Sequence, residues 1–423
     1  MKSRSILVIF LVFCLFSCGL VKESKEGVYF LIRGNAAEIK LWEKAVSLFE
    51  KENPDIKVRM EHVPYGQYWP KIETMIAGGS SPDVIFLEST RASAFIDLNA
   101  LEPLNSYIED DSDFKKENYY PQAIQAYTHE GILYGIPNDM AIYAVYYNQD
   151  LFDRAGVDYP RSNWTWTDFR KICQALTIDQ DKDGNPETYG FNIGWTYYLW
   201  IWQNGGDFYN NASDPKQSTI NTKAVKDALQ FLKDLIYKYR VAPTFAQAAS
   251  FGDAAEMFMT GKVAMIIEGH WMVPQFKSIK SFKWDVASTA AAELPKRKVK
   301  ANYNAGSCFS IPRMAKHKEK AWKLIKFLAG NKGQKILIEG GFSTPALQTK
   351  EITDFFLKST PPQNNKIFLD MIKYAHLPPV MPRYNEMNDT MYRELDYFWL
   401  NKKPIDEVLQ GLKKQLDQLL EKR

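Results

Sequence analysis

The 423-residue chain has few of the residues on which most enzyme chemistry relies. It contains four Cys and five His, and the histidines (62, 129, 270, 317 and 376) fall at no spacing that suits a metal site or a catalytic triad. No Gly-x-Ser-x-Gly elbow and no glycine-rich nucleotide loop occurs, which disfavours the hydrolases and NTPases that carry them. Charge of one sign is also lacking. With 53 basic and 50 acidic residues the formal net charge is +3, which offers no field for nucleic acid or a strongly acidic partner. Beyond residue 17 there is no run of 18 apolar residues, so nothing there can span a bilayer.

The beginning of the chain is of a different kind. Lys2 and Arg4 precede an unbroken apolar stretch over residues 6–16. That is too short for a membrane anchor, which takes about 20 residues, and it suits a secretory signal over 1–17. The stretch ends Leu15-Phe16-Ser17-Cys18. It resembles a bacterial lipobox, in which a small residue precedes a Cys that is lipidated and becomes the new N-terminus. Cys18 is therefore the candidate lipidation site, with more than one acyl chain to hold the protein at the membrane. Residues 18–26 read as a solvated tether. Cys173 and Cys308 are then the remaining cysteines, and sequence alone cannot pair them.

About 400 residues remain, more than one core usually holds, so two domains are expected. Residues 28–32 read as a buried strand. Trp42, Ala45, Val46 and Phe49 follow at the i, i+3, i+4, i+7 spacing of a helix, and Ile56, Val58 and Met60 alternate with charged residues as a half-buried strand does. This is a βαβ unit, hence a parallel sheet and an α/β fold. A second unit ends in the strand 83–87, which delivers Glu88 to the carboxyl edge, where ligands of open α/β sheets lie.

The stretch 131–148 is rich in Ile, Val and Tyr and cannot be a helix, because Pro137 lacks the N–H and biases Ile136 towards extended geometry. Its polar island, Asn138-Asp139, marks a crossing between domains that offers Asp139 to a ligand. Residues 302–311 read as a second crossing. The loop from Asp179 to Gly190 has oxygen-bearing residues at Asp179, Asp181, Asp183, Asn185 and Glu187, with Gly184 sixth. To that point it resembles an EF-hand calcium loop, but the twelfth residue is Gly190 in place of a bidentate Glu. These five are candidate calcium ligands; a solvated acidic turn is the alternative. What the chain has in abundance is aromatic surface: 25 Phe, 23 Tyr and 11 Trp. Trp200 and Trp202 would point about 160° to 200° apart on a strand or helix, so at most one could face a cleft.

Taken together, the lipobox, Asn53-Pro-Asp-Ile-Lys-Val58, Gly79-Ser-Ser-Pro-Asp-Val-Ile85, the Tyr134-Gly-Ile-Pro137 to Asn148 stretch, Thr260-Gly-Lys-Val-Ala-Met265 and Glu268-Gly-His-Trp271 stand in one order. In that order they resemble the family-1 extracellular solute-binding proteins, the substrate-binding lipoproteins of sugar ABC importers. The resemblance covers the whole chain after the signal. It implies a two-lobed periplasmic-binding fold: 27–138 with 306–342 as lobe one, 143–303 with 346–423 as lobe two, and crossovers near 139–142, 304–305 and 343–345. It also implies hinge closure on a mono- or oligosaccharide and membrane permease subunits as partners, in a monomer that needs no cofactor, no enzymatic activity and no nucleic acid. Trp195 and Trp271 stand where aromatic residues of the family stack on sugar. Asn35, Glu38, Glu88, Asp139 and Arg383 are hydrogen-bonding candidates, and Tyr68, Tyr143 and Gly306 complete the expected ligand set, with Tyr65 a weaker addition. A disulfide between Cys173 and Cys308 would oppose closure, so both thiols are expected free.

Two rival readings remain on sequence grounds. A binding protein for peptides, polyamines or metal chelates would share the fold. An exported carbohydrate-active enzyme would need two carboxylates about 5 to 9 Å apart, and no motif pairs Glu88 with Asp139.

Overall fold

A computed structural model of the chain describes residues 27–421 apart from 213, 296, 305, 378, 380 and 382. The expected signal, tether and Cys18 lie outside the described residues.

Two sheets organise the molecule. The first is built in the order Val58–Val63, Val28–Arg33, Val84–Glu88, Ser307–Ser310, Ile136–Pro137. Its first three strands are parallel, as two successive βαβ units require. Ser307–Ser310 runs antiparallel to Val84–Glu88 and to Ile136–Pro137, so it alone is reversed, and both strands come from distant parts of the chain. Helix Ala36–Glu52 covers this sheet through Trp42, Ala45, Val46 and Phe49. Phe309, at the sheet centre, meets Phe30, Trp42 and Phe86 edge to face, the geometry that aromatic quadrupoles favour.

The second sheet runs Trp284–Ala287, Tyr143–Asn148, Val263–Gly269, Tyr189–Asn192. Both faces of its central strand are buried, and the side-chain period of two sends alternate residues to different cores. Ala144 and Tyr146 join one apolar cluster, while Tyr143, Val145 and Tyr147 join the other. The second cluster contains the dense aromatic run, which is the helix Tyr197–Gln203. Trp200 and Trp202 are both buried there, and neither reaches a cleft.

The backbone passes between the sheets through short extended segments that hold one another. Asp139–Met140 pairs antiparallel with Thr344–Pro345. The Asn302 side chain accepts from Tyr143 N at 2.9 Å and donates to Tyr143 O at 2.8 Å, so the start of one long strand is clamped to another crossing segment. Residues 346–351 differ from the expected division, which put everything after 345 in lobe two. Tyr120 N donates to Ala346 O, Gln348 N donates to Asn118 O and Glu351 pairs with Lys335. These tie the segment to elements packed around the first sheet. At Asn364, which donates to Asp285 and Val286, the chain is hydrogen-bonded to the second sheet.

Cys173 and Cys308 are free and buried. Among the described residues no helix is long and apolar enough to cross a membrane.

Candidate functional site

A cleft of about 590 Å³ lies where the carboxyl edge of the first sheet faces the crossing segments and the second sheet. Its size is that of an ordinary small-molecule site.

On the first-sheet side the site is charged. Arg33 ends the first strand and forms an ion pair with Glu88, which ends the third. The Arg33 guanidinium also lies 4.6 Å from the Tyr65 ring and 4.8 Å from the Phe86 ring, so aromatic faces and a carboxylate fix its plane. Next to it begins helix Ala36–Glu52. Asn35 is its N-cap, accepting from Ala37 N and Glu38 N, while the Glu38 carboxylate accepts from Asn35 N: a complete capping box. Both residues line the cleft, so the cap and the candidate site coincide.

Asp139 lies at the floor. Its Oδ1 accepts from both the N–H and the Oγ of Ser307, each at 2.7 Å. Burial pushes its pKa up to about 6, and the two Ser307 bonds oppose that. Asp139 therefore joins two crossing segments and lines the cleft at the same time.

The opposite wall is aromatic. Tyr143 is buried, and its ring meets Trp195 and Trp271 edge to face, each at 5.2 Å between centroids. On its other side Tyr143 stacks near Tyr303, which stacks in turn on Tyr198. Trp195 is 37% exposed, a large flat face presented at the cleft. Helix Tyr384–Trp399 contributes Tyr384, Asn385, Asn388 and Tyr392, while its Met387, Met391 and Leu395 go into the core. Tyr384 and Tyr303 share a hydrogen bond of 3.1 Å, and Tyr198 donates to Asn388.

Of the residues expected from sequence, Asn35, Glu38, Tyr65, Glu88, Asp139, Tyr143, Trp195 and Trp271 line this one cleft. Three do not. Tyr68 is fully buried, and its hydroxyl donates to Phe86 O and accepts from Phe86 N, pinning its helix to the third strand. Gly306 packs against the crossing backbone, where an added Cβ would meet Asp139 O at 2.5 Å. Arg383 precedes helix Tyr384–Trp399 and pairs with Glu386 at 3.5 Å. Sequence reasoning missed Arg33, Arg91 and the row on helix Tyr384–Trp399. The strand-end argument that found Glu88 applies equally to Arg33 and would have found it.

No residue of the acidic loop lines the cleft. Asp179, Asp181 and Asp183 hold carboxylate oxygens within 4.8 Å of one another. Glu187 accepts from Gln180 N, and Gly190 sits against the Cys173 carbonyl, so no twelfth-position carboxylate completes the loop.

Residues 34–335 match the model of the family described as bacterial extracellular solute-binding protein. The chain belongs to that family. Among solved structures it is similar to the ABC substrate-binding protein Lmo0181 from Listeria monocytogenes in complex with cycloalternan, at 30% identity. The TM-score is 0.84, over 94% of this chain and 99% of that one. The maltose-bound MalE3 of T. maritima shares the fold, at 21% identity and a TM-score of 0.77 over 93% and 99% of the two chains. The arabinooligosaccharide-binding protein of Bacillus subtilis is 27% identical over 308 residues, 70% of this chain and 68% of that relative.

Proposed function

We propose that the protein captures a carbohydrate in this cleft outside the cytoplasm and delivers it to the permease of an ABC importer. The observation that carries this is the division of the cleft into two kinds of wall. Trp195 and Trp271, held by Tyr143, offer flat apolar faces to the C–H patches of sugar rings. Arg33, Glu38, Glu88, Asp139, Asn385 and Asn388 offer directed, partly charged groups to hydroxyls. The cycloalternan of the Listeria relative and the arabinooligosaccharide in the name of the Bacillus relative support an oligosaccharide over a peptide or a cation.

Binding is favoured over hydrolysis by the state of the carboxylates. Glu88, which would have to act as the second carboxylate beside Asp139, is tied to Arg33 in an ion pair, so the free carboxylate pair that hydrolysis needs is not available. The two sheets with their covering helices act as lobes that close by hinge rotation at the crossing segments. Residues 1–17 direct export, Cys18 carries the lipid that holds a monomer at the outer face of the cytoplasmic membrane, and capture needs no cofactor. The Asp179–Glu187 loop binds calcium weakly, on the support of its three close carboxylates.

A thermal-shift panel tests the reading. Neutral oligosaccharides should raise the melting temperature through linkage, with no product released. A shift by peptides or polyamines alone, or hydrolysis of a glycan, would overturn it.

A further inference from the structure

Behind the rings of Trp195 and Trp271 is a second chamber of about 580 Å³. It shares Trp195, Trp271, Met272, Gln275 and Tyr392 with the cleft, so the two spaces adjoin. Its remaining aromatic walls are Tyr197, Phe245 and Trp399.

The charge of this chamber is one-sided. Glu268, Asp253 and Asp396 line it, and among the described residues no Lys, Arg or His does. The cleft next to it, by contrast, is lined by Arg33 and Arg91 as well as by acids. Glu268 is the unusual member. It is the penultimate residue of the strand Val263–Gly269, is 8% exposed, and lies beside the Trp195 side chain and the Gly269 N–H, with Asp253 as the nearby charge. Burial raises its pKa to about 7, and the Asp253 carboxylate adds to the rise. An ionised carboxylate buried without a cation is costly. Tyr197, 3% exposed on the same wall, has a hydroxyl with no hydrogen-bond partner of normal geometry among the described residues.

Aromatic faces combined with carboxylates and no base are the surroundings that an ammonium group prefers: rings attract it through their quadrupole, and a carboxylate neutralises it. A neutral sugar unit would bring Glu268 no counter-charge. We propose that the carbohydrate captured by this protein carries a free amine, an amino sugar, whose ammonium group is seated in this chamber against Glu268. This rests on the carbohydrate reading above and adds the class of sugar.

The test is isothermal titration of the whole protein at pH 7 with matched oligosaccharides: glucosamine oligomers, their N-acetylated forms and unsubstituted glucose oligomers of equal length. The amine form should bind at least about ten-fold tighter than either counterpart. Glu268→Gln, checked for its fold by circular dichroism, should lose that preference. The proposal is overturned if no amine form binds, if amine and neutral forms bind alike, or if Glu268→Gln keeps the preference. Because the wild-type comparison stands alone, a variant that fails to fold leaves the proposal open to refutation. Neutral sugars binding without amine preference would sink this proposal and leave sugar capture standing; binding of no sugar at all would sink both.

Discussion

The indole of Trp271 lies directly over the Cα of Gly269: a Cβ built there would come within 2.0 Å of the ring carbon Cζ3. The φ of Gly269 is −87°, which any residue adopts. The glycine is thus required by the ring and not by the backbone. Gly269→Ala should push the indole off the strand end and weaken ligand binding by at least about ten-fold, or 1.4 kcal/mol. Because the backbone tolerates the change, the midpoint of thermal unfolding should move little. Paired calorimetric titration and thermal melts check this, and an unchanged affinity would remove Trp271 from the site.

Asp139 and Ser307 carry two bonds across the crossing segments. Asp139→Ala leaves the buried Ser307 N–H without its acceptor, a cost of about 1–3 kcal/mol. It should therefore lower stability in chemical denaturation as well as affinity, and Ser307→Ala, which keeps the backbone bond but takes the acceptor from Asn138 Nδ2, should lower stability too. Equal and negligible losses in both would contradict the linkage.

The folded-state pKa of Glu268 is raised to about 7 by burial, well above its ordinary value of 4.5. A carboxyl raised in this way stabilises the fold below pH 4.5, and that stability is lost as pH rises through 7. The difference amounts to about 3 kcal/mol across the window. Relative to Glu268→Gln, which cannot ionise, the wild type should lose stability between about pH 4.5 and 7. Parallel denaturation curves for the two across that range would refute the shift. Lys277, partly buried, has its own pKa lowered by burial, and it is common to both proteins, so it cancels from the comparison.

The Asp179–Glu187 loop should respond to calcium only at about millimolar concentration, as expected for a loop lacking its twelfth-position carboxylate. A small rise in melting temperature with added calcium, absent in Asp181→Asn, is the expected result. No rise at any concentration would make the loop a solvated turn.

Much of this was legible in the chain because the physics was local. The alternation of Ile56, Val58 and Met60, the helix spacing of Trp42 to Phe49 and Pro137 in a β-rich run each report one element. The cleft residues at strand ends and crossings, Glu88 and Asp139, followed from topology. What was not legible depends on distant packing. Tyr68 looked like a cleft tyrosine, yet its hydroxyl is consumed by the Phe86 backbone. Tyr384, Asn388 and Tyr392 lie at helical spacing and resemble any polar face until Tyr303 and Tyr198 come to meet them. Residues 346–348 follow a crossing in sequence but remain hydrogen-bonded to 118–120. The second chamber needed the strand end at Glu268 and the helix bearing Tyr392 in one place, which no window of sequence contains.

The measurement closest to the central claim is a titration of intrinsic tryptophan fluorescence with a series of oligosaccharides, on wild type and Trp271→Ala. Saturable binding is expected in the wild type, with dissociation constants around or below about 10 μM, and a loss of about 2 kcal/mol or more in the variant, the size of a central aromatic contact. A wild type that binds no oligosaccharide, or a Trp271→Ala protein that binds as tightly, would contradict the account.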